Sequence, residues 1–159
     1  MEFKAFKKLK LDKSRLHELG VFAEEGIARG EAIMALGGKI TNRRTRYSLQ
    51  VDENGHLANK LDIDDRLNHS CDPNCYVDFE LLQLKALKDL KEGEELTYNY
   101  CTAEDSMLHP FQCICGAKNC FGVVKGFDHL TPEQKLEVFP FASPYLKRKY
   151  LKETRGAQA

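Results

Sequence analysis

The sequence predicts a mainly β protein with short helices: small antiparallel sheets over about the first hundred residues, then a short helical C-terminus. Three observations carry this expectation. Apolar residues alternate with polar ones instead of recurring at helical spacing. Turn-forming residues interrupt the alternation at short intervals, as they do in sheets of short strands. After Cys120 the pattern changes to helix-start signals.

Taken in order, Glu31–Leu36, Tyr47–Val51, Leu81–Leu87 and Glu95–Tyr98 read as strands. Gly26, Gly30, Gly37-Gly38, Asn54-Gly55, Asp72-Pro73 and Gly93 mark the turns between them. Asn54-Gly55 predicts a hairpin, because both central positions of a two-residue turn tolerate positive φ there. Downstream, Thr131 as N-cap, Pro132 at the first helical position and Gln134 in capping-box register predict a helix. A second helical piece is expected after Pro144.

A chain of 159 residues is long enough to bury a core as one domain. Its 24 Lys and Arg balance 24 Asp and Glu, so net charge argues for neither nucleic-acid nor membrane partners. The basic ends (Lys4 to Arg15, and "YLKRKYLK") and the acidic middle (Asp62, Asp64, Asp65; Glu92, Glu94, Glu95) read first as solvated faces. No apolar run reaches the ~20 residues of a membrane span, and the charged N-terminus does not match a signal peptide. An intracellular protein is expected, in cytoplasm or nucleus, its six cysteines reduced or metal-bound. Nothing in the sequence specifies an oligomeric state.

The cysteines are clustered. "CICGAKNC" places Cys113, Cys115 and Cys120 as C-x-C-x4-C, with Gly116 at the bend. Three thiolates so close can share one zinc, which requires a fourth ligand for its tetrahedron. Spacing alone leaves Cys71, Cys75 and Cys101 as alternatives for that place. An iron site of the rubredoxin kind would need a second C-x-x-C pair, which the sequence lacks.

"RLNHSCDPNC" (Arg66 to Cys75), then "KEGEELTYNY" and "CICGAKNCFG", closely resembles the SET-domain family of protein lysine methyltransferases with its cysteine-rich post-SET tail. The likeness runs from about Leu19 to about Gly122, and Gly20–Ile33 is similar to the family's opening strand and turn. It implies a SET domain at 1–107, a post-SET zinc segment at 108–123 and a helical tail at 124–159, with small antiparallel sheets around a knot-like core. Asn68 and His69 match the pair that binds S-adenosylmethionine, and Leu19, Gly20, Val21 and Phe22 lie where backbone meets its methionine end. Tyr100 matches the catalytic tyrosine and Tyr98 the aromatic that limits methyl number. Cys71 matches the cysteine that completes the zinc site with Cys113, Cys115 and Cys120. The family's G-x-G reads Glu18-Leu19-Gly20 here, and its E-Y-x-G-E reads Ala35–Lys39.

These residue types suit the implied chemistry. Methyl transfer from a sulfonium is an in-line displacement that chiefly needs alignment, and the lysine must be neutral, which a desolvated tyrosine-lined channel favours. Tyr100 would fix geometry, the Asn68 amide would pair with polar cofactor groups, and Tyr47 is a further cofactor-facing candidate. Ile114, Phe111 or Phe121 would wall the adenine. The implied function is transfer of chiefly one methyl group to lysine in a protein or peptide, and the acidic middle suits a basic, histone-like substrate. The alternative is a zinc-stabilised interaction module without catalysis.

Overall fold

Alternation in the sequence becomes short, sharply turned strands. A computed structural model describes residues 1–59 and 61–158. The strands are β1 (Lys4–Ala5), β2 (Leu9–Lys13), β3 (Leu19–Ala23), β4 (Ala32–Ala35), β5 (Lys39–Thr41), β6 (Leu49–Gln50), β7 (His56–Ala58), β8 (Asn68–His69), β9 (Cys75–Asp78), β10 (Gln83–Ala86), β11 (Thr97–Tyr98), β12 (Phe111–Gln112) and β13 (Val123–Val124). Two helices follow, α1 (Pro132–Val138) and α2 (Pro144–Ala157). No helix among the described residues is long and apolar enough to cross a membrane.

The largest sheet has the order β1-β4-β10-β9, all antiparallel. Its logic is visible in β10, where Leu84 and Ala86 are fully buried while Gln83 and Lys85 face outward. Lys85 pairs with Asp78 of β9 at 2.7 Å. Val21, Ile33, Met34, Leu84 and Leu96 fill the core beneath, and truncating one of them to Ala would cost about 2–5 kcal/mol. The other antiparallel groups are β2-β3, β5-β7-β6 and β12-β13.

Three expectations need correction. The run 81–87 shortens to β10 because Leu82 takes φ 49°, which strand backbone does not allow. The run 47–51 shortens to β6 because Ser48 closes a turn onto Thr45. The β6–β7 hairpin forms, but neither Asn54 nor Gly55 has positive φ. Its connection is longer than two residues and closes through Val51 N–H to the Gly55 carbonyl at 2.9 Å, so the bend is shared along the loop. Gly38 is where a glycine is indispensable: its φ is 122°, and a Cβ would sit 2.2 Å from the Ala58 carbonyl.

Among the described residues, one pairing is parallel. β8 and β11 join with Asn68 opposite Thr97 and His69 opposite Tyr98. Asn74 braces the junction, donating to the Glu95 carbonyl at 2.8 Å and accepting Thr97 N–H at 2.9 Å. The capping box of α1 is present, with Thr131 and Gln134 bonded reciprocally at 3.2 and 3.0 Å. The C-terminal segment packs onto the rest. Buried Ser143 caps α2 and donates its N–H to the Thr102 carbonyl at 2.7 Å, and Tyr145 donates to Asp105 at 3.0 Å.

Candidate active site

The parallel pair sets the site. By placing Asn68-His69 beside Thr97-Tyr98, it brings two sequence motifs to one wall of a cavity of about 450 Å³. That is within the ~300–1,000 Å³ usual for small-molecule sites. Of the residues singled out in the sequence, Leu19, Tyr47, Asn68, His69, Tyr98, Tyr100 and Ile114 line it, as do Phe111, Cys113 and Cys115 of the cysteine-rich segment. Gly20, Val21 and Phe22 do not. Val21 is wholly buried in the core, and Phe22 bridges to Glu95. At Gly20 a Cβ would lie 2.1 Å from Oε1 of Glu95, so this glycine admits a carboxylate rather than facing the cavity.

That carboxylate defines Asn68. The Asn68 amide donates to the Leu19 carbonyl at 2.9 Å and to Glu95 at 2.8 Å. Both amide hydrogens are therefore used within the protein, and Oδ1 is the atom left to accept from a ligand. Ser14 donates to the same Glu95 carboxylate at 2.8 Å.

The Tyr100 hydroxyl donates to the Leu67 carbonyl at 2.6 Å. Its proton is thus directed into the protein, leaving the oxygen as an acceptor. The rings of Tyr98 and Tyr100 lie 5.0 Å apart, and His69 meets Tyr100 edge-on at 5.2 Å. The Tyr98 hydroxyl has no protein partner among the described residues. Burial pushes both phenols well above the ordinary tyrosine range, so they stay protonated.

Three acidic side chains share the cavity: Asp64, Asp65 and Glu104. Burial raises Asp65 to about 6 and Glu104 to about 7. Glu104 accepts Gln50 N–H at 2.9 Å. Sequence reading missed Glu104, Glu95 and the Leu67 carbonyl. No local pattern marks them, since each acts through partners distant in the chain.

Below this wall, Cys71, Cys113, Cys115 and Cys120 place their sulfurs within 4.8 Å of one another. A tetrahedral zinc with bonds of ~2.3 Å puts its sulfurs about 3.8 Å apart, and the Cys71 and Cys113 sulfurs are 3.8 Å apart. Cys71 also accepts Phe121 N–H at 3.2 Å, which favours the thiolate a metal requires. The four residues fit zinc. Cys75 and Cys101 are fully buried outside this group. Ile114, 62 % exposed, and Phe111 carry the segment over the cavity mouth, while Phe121 packs with the sulfurs.

Comparison with known proteins follows the same outline. The SET domain family matches residues 18–101. "Histone-lysine N-methyltransferase, H3 lysine-4 specific" of Schizosaccharomyces pombe is 32% identical over 139 residues, covering 73% of this chain and 15% of that protein. "Methyltransferase flvH" of Aspergillus flavus is 39% identical over 99 residues, covering 58% of this chain and 55% of that protein. Among solved structures, KRYPTONITE in complex with mCHH DNA, H3(1-15) peptide and SAH superposes with a TM-score of 0.63 at 25% identity, over 76% of this chain and 30% of that one. The chain thus spans only part of each of these proteins.

Proposed function

Because the chain belongs to the SET-domain family, we propose that it is a protein-lysine N-methyltransferase that uses S-adenosylmethionine. The observation that supports this most is the Tyr100 hydroxyl, held by Leu67 at 2.6 Å beside Tyr98 in the cavity that Asn68 and His69 also line.

The cofactor supplies an electrophilic methyl group on a sulfonium. Asn68 would orient it through Oδ1, the acceptor left free for the amino-acid ammonium. Leu19 would border the same end, and Ile114 with Phe111 would cover the adenine. The oxygen of Tyr100, its proton committed to Leu67, would present electron density toward a positively charged methyl group. Tyr98 and Tyr100 wall the acceptor channel, where exclusion of water lowers the lysine pKa toward neutrality. The sulfurs of Cys71, Cys113, Cys115 and Cys120 would hold zinc in a structural role, tying the cysteine-rich segment over the cavity.

The product is chiefly monomethyllysine. The Tyr98 hydroxyl, free of protein partners, holds a water or the amine in the space that a further methyl would occupy. Histone tails are the first substrates to test, since the Schizosaccharomyces pombe relative carries a histone-lysine name and Asp64 and Asp65 set carboxyl groups within the cavity. The test is transfer of a labelled methyl group to histones and to a lysate, read by mass spectrometry, alongside titration with the cofactor. Failure to bind S-adenosylmethionine would leave only a non-catalytic interaction module.

A further inference from the structure

Glu104 is only 7% exposed, yet it lines the cavity beside Tyr98 and Tyr100. The chain fixes it from both flanks. It follows the single turn Tyr100–Thr102, donates its N–H to the Tyr100 carbonyl at 2.9 Å, and its own carbonyl accepts Phe127 N–H at 2.8 Å. One carboxylate oxygen, Oε1, accepts Gln50 N–H at 2.9 Å. The other, Oε2, makes no hydrogen bond among the described residues and opens on the cavity.

The other two carboxyl groups of the cavity are less available. Asp64 is engaged by Gly37 N–H at 2.7 Å and by the Asn59 amide at 3.4 Å. The unpartnered oxygen of Asp65, Oδ2, is fully enclosed. The charged and titratable groups around Glu104 are few. Arg44 and Asp105 both act on it, but they are paired with each other at 2.8 Å. Tyr98, Tyr100 and Cys101 feel its charge from the other side, and burial keeps all three protonated.

A lysine side chain enters such a cavity as an ammonium, with a pKa of about 10.4 in water. Only the neutral amine has a lone pair for attack. Burial lowers an ammonium and raises a carboxyl group, and Glu104 is raised to about 7. The two groups are thus drawn together in acidity, the condition for efficient proton transfer. We propose that Glu104 is the general base of the reaction, its Oε2 taking the proton of the lysine ammonium directly or through one water. An N–H bond of the ammonium breaks and an O–H bond forms on Glu104. The amine then attacks the methyl carbon, forming N–C while C–S breaks and its electron pair stays on sulfur. The product is a methylammonium, and Glu104 returns its proton to solvent, one for each methyl group transferred. This rests on the methyl-donor reading above.

The test is the pH profile of methyl transfer at saturating S-adenosylmethionine and limiting acceptor, so that rates follow kcat/KM. The acceptor is a pool of core histones and heat-treated lysate protein. The native rate should rise as Glu104 ionises and level off above about pH 8. Glu104→Gln, which keeps an acceptor for Gln50 N–H, should lose about a hundredfold at about pH 7. Its rate should then climb about tenfold per pH unit without levelling, because the lysine must shed its proton to water. Its calorimetric affinity for S-adenosylhomocysteine should stay within about twofold of native, as for a group that acts only on the acceptor. A native-shaped profile in Glu104→Gln, an equal loss at every pH, or a matching loss of S-adenosylhomocysteine affinity overturns the assignment. So does a plateau lost in Asp65→Asn but kept in Glu104→Gln. A native protein that neither binds S-adenosylhomocysteine nor transfers methyl groups overturns the methyl-donor reading itself, a different result from the others.

Discussion

The backbone N–H of Tyr100 donates to Nδ1 of His69 at 3.0 Å. The imidazole proton therefore resides on Nε2, which lies 3.3 Å from the Cys71 sulfur. Burial lowers the His69 pKa to about 3, so the ring remains neutral and keeps this orientation. One side chain thus ties the Tyr100 backbone to the sulfur cluster. His69→Ala leaves the Tyr100 N–H unpaired in the interior, at a cost of about 1–3 kcal/mol. Turnover should fall and zinc should be lost faster to a chelator. A variant with native turnover and native chelation kinetics would show the two regions to be independent.

Zinc content should be one per chain. Cys115→Ser is expected to lower zinc content and methyl transfer together, while the far-ultraviolet circular dichroism of the strands persists. The core residues Ile33, Met34 and Leu84 pack without the sulfurs. Full activity in a zinc-free preparation contradicts this.

Tyr100→Phe and Asn68→Ala separate chemistry from binding. Removing the Tyr100 hydroxyl should lower kcat by about a hundredfold or more with cofactor affinity nearly unchanged, as for a group acting mainly in the transition state. Asn68→Ala should weaken cofactor binding and also lower the thermal midpoint, because Glu95 and the Leu19 carbonyl lose their donor. Native turnover in both variants would place the site elsewhere.

Tyr98→Phe should shift product from monomethyllysine toward di- and trimethyllysine at similar total turnover. Mass spectrometry of a peptide after prolonged reaction is decisive. Trimethyllysine accumulating readily with the native enzyme rules out the role given to the Tyr98 hydroxyl.

Glu104 supplies a pH test. Burial raises its pKa from 4.5 to about 7, so the native state holds the extra proton within that window. Stability therefore falls as pH rises through it, by up to roughly 3 kcal/mol. Glu104→Gln keeps an acceptor for Gln50 N–H but cannot ionise. The native thermal midpoint, measured relative to this variant, should drop between pH 5 and pH 8. A difference that is constant with pH refutes the assignment.

How much of this was legible depended on whether the signal was local. Alternation marked Leu81–Leu87 as strand, within which Leu84 and Ala86 turn inward, and Thr131 with Gln134 announced α1, because both depend on neighbours within a few residues. Cysteine spacing marked three sulfurs, and the resemblance supplied Cys71 as the fourth. The left-handed turn at Leu82 had no signal, since leucine seldom adopts that backbone. The bonds from Glu95 to Asn68 and Ser14 span 27 and 81 positions, beyond any sequence window. The parallel pairing of β8 with β11 was equally hidden: two residues per strand carry no mark of direction.

That short parallel ladder also bears on when the site can appear during folding. The Tyr100 hydroxyl and the Leu67 carbonyl stand 33 positions apart, and their contact requires the intervening chain to return alongside its own start. Closing such a loop costs roughly 3 kcal/mol of chain entropy, on a logarithmic scale with length. Only a handful of hydrogen bonds repay that cost locally, so the ladder is expected to form after β9 and β10 settle on the core. Non-local contacts of this kind slow folding. A refolding chain should therefore recover strand structure before it recovers affinity for the methyl donor, with the ligand-competent state as the last to emerge.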